Sequence, residues 1–210
     1  MSKFIIFLAM SFLLFAGDNF FVAKISPNIQ ERMIQGKSWN KSCPVSLQDL
    51  RYLRLRYRDF QGKTQMGEMI VHKTLAFEVG QIFSALYENA YPIRKIQLVL
   101  EYQANDWKSI EAGNTSAFNC RRATGSQKWS KHAYGKAIDL NPIENPYISG
   151  TGYIAHKASL KYKIRAHDNK LFANKAMLLA NDKTVEIFKK YGWKWGGDWK
   201  KVKDYQHFSK

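Results

Sequence analysis

Along residues 53–60 apolar and basic positions alternate. Leu53, Leu55 and Tyr57 fall on one side, with a slip to Phe60, and Arg54, Arg56 and Arg58 on the other. A period of two predicts a half-buried strand. Residues 68–72, Glu-Met-Ile-Val-His, read as its partner across a loop or hairpin turn at 59–67. The period then changes. Leu75, Val79, Ile82, Phe83 and Leu86 recur at three and four residues, which predicts a helix over 74–87 ended by Asn89 and Pro92. The apolar run 96–100 predicts an interior strand. Residues 102–127 carry almost no period, and long unpatterned stretches in compact domains are often functional loops. A strand is predicted over 137–140, broken by Asn141-Pro142 and Asn145-Pro146. A brief helix at 173–180 and a second through Val185 and Phe188 to Tyr191 follow, with Asn181 or Asp182 as cap and Gly192 as stop. Residues 193–195 alternate as a strand, with Trp193 and Trp195 in the core, and Gly196-Gly197 makes a tight turn. Upstream, Ser46 is placed to cap a short helix through Leu50 and Tyr52. Residues 18–42 read as an irregular arm with a helical turn near 29–34.

The first residues change the picture of the ends. Met1-Ser2-Lys3 is a short basic start, 4–15 is almost wholly apolar, and Ala16-Gly17 follows. The apolar stretch is too short for a membrane span and fits an export signal. The expected organisation is a signal peptide at 1–23, cut after Ala23 or near Gly17, an arm at 24–42 and one domain at 43–210. Retention as an uncleaved anchor is the alternative. Export would let the two cysteines, Cys43 and Cys120, form a disulfide; two free thiols are the alternative. Neither has the CxxC spacing of a zinc knuckle.

The chain of 210 residues carries a formal charge of +16, spread along its length. Nucleic acid, an anionic membrane surface and an anionic wall polymer are the partner classes that such a charge suits; a basic protein with no polyanion partner is the bland reading. No zinc finger, recognition-helix pattern or RNA-binding aromatic motif is present, so charge serves here as a hint to location and nucleic acid is not expected.

The chemistry concentrates in Ser130-Lys131-His132-Ala133-Tyr134-Gly135-Lys136-Ala137-Ile138-Asp139. An imidazole and a carboxylate suit Zn²⁺, and a hydrolytic zinc site keeps three protein ligands with one open position. His207, in Asp204-Tyr205-Gln206-His207-Phe208, supplies the third, and Asp204 the proton-transfer group. Positions three apart on an ideal strand face opposite ways, so the tail must bend between Asp204 and His207. Three buried, satisfied polar residues in a non-enzymatic domain are the competing reading. Two imidazoles argue against Mg²⁺ or Ca²⁺. His72, His156 and His167 fit no ligand frame. Arg121 or Arg122 can polarise a carbonyl oxygen or hold a substrate carboxylate, and Trp199 is placed to flank a cleft.

Ser130, His132, Gly135, Ala137 and Asp139 together resemble the Ser-x-His-x-x-Gly-x-Ala-x-Asp signature of the M15, D-alanyl-D-alanine carboxypeptidase-like zinc peptidases. The resemblance extends over about 53–208. It implies a small α+β domain with helices on an antiparallel sheet, a Hedgehog/D-Ala-D-Ala-peptidase-like fold, with one zinc in a cleft on the sheet; the element reading above is compatible. It implies His132, Asp139 and His207 as ligands and Asp204 as catalytic acid and base. Aspartate at that position, where many members have glutamate, resembles the endolysin-like branch with L-alanyl-D-glutamate endopeptidases. Arg121 matches the family's arginine, with Arg122 as alternate, and Ser130, Arg122 and Trp199 are candidate substrate contacts. The implied substrate is a peptidoglycan stem peptide, cut by D,D-carboxypeptidase or endopeptidase action. The implied setting is an exported monomer in the periplasm or cell wall, held peripherally to an anionic wall or membrane surface. A catalytically inactive wall-binding module and a basic polyanion-binding protein are the rival classes, and a zinc amidase or a peptidase on other substrates would keep the chemistry.

Overall fold

A computed structural model describes residues 13–17, 19–166 and 172–210. Residues 1–12 of the expected export signal and His167 lie outside the described residues. Four antiparallel strands form the first sheet in chain order: β1 (Leu13–Gly17), β2 (Phe20–Lys24), β3 (Leu50–Arg58) and β4 (Thr64–His72). The helix α1 (Pro27–Gln35) lies between β2 and β3 in sequence. The alternation of β3 splits its side chains between two cores. Leu53, Leu55 and Tyr57, with Val22, Met69 and Val71 of the adjacent strands, face α2 (Ala76–Glu88) and meet Val79, Ile82, Phe83 and Leu86. Leu50, Tyr52 and Ile70 point the other way, toward Ile29 and Met33 of α1, with Leu98, Leu100 and Phe118 beside them. Each fully buried aliphatic or aromatic side chain here contributes about 1.5–3 kcal/mol.

The central hairpin and α2 match the predicted elements closely. The arm does not. The sequence predicts an irregular segment with a helical turn near 29–34, and that turn is part of a longer regular helix, α1. Ser26 caps it by accepting from the Ile29 amide at 3.3 Å, and Pro27 opens it. Its polar face hides the signal: Arg32 donates both ways to the Glu68 carboxylate at 3.0 Å and to Glu101 at 2.8 Å. Strand β2 likewise overlaps the stretch expected as export signal, at residues 20–23. Ala23 pairs with Tyr52, Lys24 pairs with Arg51, and Val22 is buried. The short helix expected after Ser46 is a 3-10 turn at Leu47–Asp49, and β3 begins directly at Leu50.

The interior strand expected at 96–100 is also absent. Only Ile96 bridges a neighbour, Thr115, and Val99–Tyr102 turns as a 3-10 helix. The reason is local. The Asn114 side chain accepts from the Gln97 amide at 2.8 Å and donates to the Gln97 carbonyl at 3.0 Å, meeting the needs that a neighbouring strand would have met. The unpatterned stretch 102–127 contains α3 (Asp106–Glu111), capped by Asn105, and then a buried connector. Along that connector Ser116 exchanges both backbone hydrogen bonds with Asp139, at 3.0 and 2.8 Å, and the Phe118 amide donates to Ile70 at 3.1 Å.

The second half builds two small antiparallel sheets. In one, β9 (His207–Ser209) lies between β5 (Ala137–Asp139) and β7 (Lys194–Trp195); in the other, β6 (Tyr147–Ile148) pairs with β8 (Lys203–Asp204). The helix α4 (Lys183–Lys190) supports β9, with Phe188 stacked on Phe208 at 3.9 Å. Trp193 and Trp195 are core residues as expected, each 2 % exposed. The result is a small α+β domain whose antiparallel strands divide among three sheets. Ile138, Phe188, Trp195 and Phe208 join the same core as β3 and α2. Among the described residues no helix is long and apolar enough to cross a membrane.

Cys43 and Cys120 are joined by a disulfide with a Cα–Cα distance of 5.8 Å. It closes a separation of 77 residues, for which the chain-entropy account gives about 4.5 kcal/mol of stabilisation. The bridge ties the segment before β3 to the residue preceding Arg121.

The position of β2 carries a prediction. A chain beginning at Asp18 keeps β2, whereas one beginning at Lys24 loses it and bares the Leu53–Leu55 edge of the core. The second chain is expected to melt at least about 5 °C below the first, from the lost burial of Val22 and the lost strand pairing. Equal melting temperatures by calorimetry would show that β2 adds nothing to the fold.

Candidate metal centre and active site

Three elements assemble the site. Ser130 opens a 3-10 turn, Lys131–Tyr134, and its Oγ accepts from the His132 amide at 3.3 Å. Gly135 ends that turn at φ 64°, in the left-handed region that favours glycine, and its carbonyl accepts from the His72 amide at 2.9 Å. A Cβ at Gly135 would lie 2.5 Å from the His72 nitrogen. The motif is therefore fastened against the end of β4. From there the chain enters β5, which carries Asp139. In the register of β5 with β9, Asp139 stands directly opposite His207.

The three side chains converge. His132 Nε2 lies 3.1 Å from Asp139 Oδ2 and His207 Nδ1 lies 3.0 Å from Asp139 Oδ1. One ligand atom from each residue falls within 4.8 Å of the others. His132 Nδ1 is 2.6 Å from the Ala117 carbonyl oxygen. A carbonyl can only accept, so Nδ1 carries a proton, and Nε2 is the nitrogen turned toward Asp139. Such an outer hydrogen bond is the usual orienting device for a metal-bound imidazole. Two imidazoles facing one buried carboxylate form a donor set that suits zinc. The electrostatics agree. Burial pushes the His132 imidazole down, but the Asp139 carboxylate beside it leaves it above its ordinary value. Burial pushes Asp139 up, yet the two imidazoles hold it far below the usual carboxylate range. The pocket stabilises a carboxylate with positive charge around it, the state a cation would impose.

Asp204 meets the geometric demand posed by its three-residue separation from His207. It ends β8 in one sheet, a turn at Tyr205 and Gln206 follows, and His207 begins β9 in the other sheet. The turn is held from both sides: the Trp195 indole donates to the Tyr205 carbonyl at 2.8 Å and the Leu140 amide donates to the Gln206 carbonyl at 2.9 Å. Asp204 Oδ1 is shielded from solvent and has no hydrogen-bond partner. Burial, reinforced by the nearby Asp139 charge, pushes its carboxyl up to about 6. Gly196 makes room for it, since a Cβ there would collide with the Asp204 carbonyl oxygen.

Arg121 enters from the buried connector. Its guanidinium is ion-paired with Asp106 of α3 at 3.0 Å, it is close enough to His132 to repel that imidazole's proton, and its Nε is shielded and unpartnered. The structure commits Arg122 elsewhere. It is exposed, lies over the Trp129 ring at 3.7 Å and donates to the Gln127 carbonyl at 2.7 Å. Ser130 acts on the His132 backbone as a cap. Trp199 flanks the site as expected, its ring 5.6 Å from that of His207 and 38 % exposed. His72 bonds Thr74 and His156 stacks on Trp107, so neither joins the cluster. Asp106, Gly196 and the Ala117 carbonyl escape a reading of the sequence. The only hint of Asp106 is its place after Asn105, a helix-capping residue inside an otherwise unpatterned stretch.

A His/Asp/His cluster with an adjacent carboxyl and arginine is a donor set of the kind hydrolytic metalloenzymes use. Residues 124–210 match the family model described as D-alanyl-D-alanine carboxypeptidase. The match supports a peptidase of the M15 family over this part of the chain. The matched segment holds His132, Asp139, Asp204 and His207; Asp106 and Arg121 lie before it and are brought in by the fold. No curated protein and no solved structure is significantly similar to the chain.

The packing of Gly196 on Asp204 predicts that Gly196→Ala displaces the carboxyl without touching the ligands. Peptidase turnover should fall at least about tenfold, the cost of misplacing a proton-transfer group, while zinc content by atomic absorption stays at the wild-type stoichiometry. Undiminished turnover would show that Gly196 does not position Asp204.

Proposed function

We propose that this protein is a zinc-dependent peptidase that hydrolyses an amide bond in peptidoglycan stem peptides. The observation that carries the reading is the convergence of His132, Asp139 and His207 beside Asp204, whose Oδ1 is shielded from solvent and has no hydrogen-bond partner. The residues fit a single zinc ion, which when bound by these three ligands would supply an activated water and polarise the scissile carbonyl. Asp204 accepts a proton from the attacking water as the carbon–oxygen bond forms. It returns that proton to the amine nitrogen as the carbon–nitrogen bond breaks. A carboxyl pushed up to about 6 can do both near neutral pH. Arg121, held by Asp106, donates to the oxygen on which negative charge grows. Trp199 forms one wall of the approach.

The setting follows from three further supports. The start of the chain resembles an export signal, the Cys43–Cys120 bridge suits an oxidising compartment, and a charge of +16 favours retention at an anionic wall or membrane surface. We therefore place the enzyme outside the cytoplasm, in the periplasm or wall, acting as a monomer. Carboxypeptidase action removes a terminal D-alanine; endopeptidase action divides the stem between L-alanine and D-glutamate. Masses of muropeptides before and after digestion distinguish the two.

An Asp204→Asn protein is expected to bind zinc normally and lose turnover by at least about a hundredfold, the scale of general acid–base catalysis. His132→Ala and His207→Ala should lose zinc instead. A folded, zinc-loaded Asp204→Asn protein with full activity would falsify the role given to Asp204. An inactive wild-type protein that still binds peptidoglycan would favour a wall-binding module.

A further inference from the structure

The helix α3 does more than present Asp106 to Arg121. Trp107 and Glu111, four residues apart and so on one helical face, line a cleft of about 520 Å³ together with Ile143, His156 and Lys157. Trp107 directly follows the Asp106 that pairs with Arg121, and Asp106 is near enough to His156 to act on it electrostatically. The His156 ring lies against Trp107, with centroids 3.9 Å apart, and Trp107 remains 48 % exposed. His156 Nδ1 is shielded from solvent and has no partner. Among the described residues neither Glu111 nor Lys157 forms an ion pair. Ile143 is buried and belongs to a small apolar cluster with Tyr162 and Met177.

A single concavity thus offers an unpaired carboxylate, an unpaired ammonium, a ring nitrogen without a partner and an aromatic wall. A purely anionic ligand would meet Glu111 and a purely cationic one would meet Lys157. A ligand carrying both charges satisfies both. We propose that this cleft is a subsite for an α-amino-acid head, an ammonium and a carboxylate on one carbon, at the end of an aliphatic side chain. Resting on the peptidase reading above, it makes the enzyme selective for stem peptides whose third residue is a diaminodicarboxylic acid over those that carry lysine there. Glu111 takes the ammonium, Lys157 the carboxylate and the His156 nitrogen one further hydrogen bond. The methylene chain lies along Trp107 and Ile143.

The lysine side chain has the ammonium without the carboxylate, which gives the two charged residues separable signatures. The test uses the full-length, zinc-loaded protein and two peptides, L-Ala-γ-D-Glu-X-D-Ala-D-Ala, with X either meso-diaminopimelate or L-lysine. The wild type is expected to prefer the diaminopimelate peptide about tenfold in kcat/KM, the effect of one charge-assisted contact. Lys157→Gln should bring the ratio near unity by raising KM for that peptide alone, and Lys157→Arg should restore it. Glu111→Gln should raise KM for both. Both side chains are exposed at their positions, so the substitutions leave the core intact. Calorimetric titration of each peptide into the Asp204→Asn protein reads the same preference as Kd without turnover. Equal cleavage of the two peptides, with a ratio unmoved by Lys157→Gln, overturns the subsite and leaves the peptidase reading standing. If neither peptide is cleaved the peptidase reading fails, and the titration alone decides: discrimination lost in Lys157→Gln supports the subsite, and no discrimination overturns it.

Discussion

The antiparallel pairing of β5 with β9 is the constraint on which the site depends. It sets Asp139 opposite His207 and Ile138 opposite Phe208. Because side chains alternate along a strand, the first pair faces His132 and the candidate metal site and the second faces the core. A slip of one residue would turn His207 into the hydrophobic interior and Phe208 into the cleft. The burial of Phe208, stacked on Phe188 and backed by Trp195, is therefore what keeps His207 in place. Core packing and ligand geometry are two faces of the same register.

The rest of the molecule steadies that pairing from outside. The four-stranded sheet contributes no catalytic group, yet its β4 end holds Gly135 through the His72 amide. The connector at 114–119 joins this sheet to β5 and supplies the Ala117 carbonyl that orients His132. The disulfide at Cys120 and the ion pair to Asp106 restrain Arg121 from either side. Residues of the site that look scattered along the chain are thus tied to one hydrogen-bonded frame. The family match covers only its C-terminal part.

Three of the shielded polar atoms without partners belong to the residues discussed above. Asp204 Oδ1, Arg121 Nε and His156 Nδ1 are each shielded and unbonded. A buried polar group without a partner is costly, and such groups are expected where a ligand completes the bonding. The first two belong to residues beside the His132, Asp139 and His207 cluster and the third to the cleft beside Trp107. Substrate recognition would then extend beyond the reacting bond, as binding energy from remote contacts commonly supports catalysis.

Much of this was legible in the chain itself. Period-two and period-3.6 patterns marked β3, β4 and α2 because those elements each bury an apolar face against a core. The ligands and Asp204 were legible because zinc chemistry restricts the residue types and the signature at 130–139 holds its glycine and alanine where backbones meet. Helix α1 was obscured by its ion-paired polar face, and β2 by its likeness to an export signal. The run at 96–100 read as a strand because apolar residues do not reveal where their backbone hydrogen bonds go; the Asn114 side chain decided that. Spacing alone also made Arg121 and Arg122 interchangeable. Asp106 on one side and Trp129 on the other separated them, since a guanidinium goes where a carboxylate or an aromatic face is folded beside it. Residue chemistry is written locally, but which groups become neighbours depends on contacts between segments distant in sequence, and those only the tertiary structure decides.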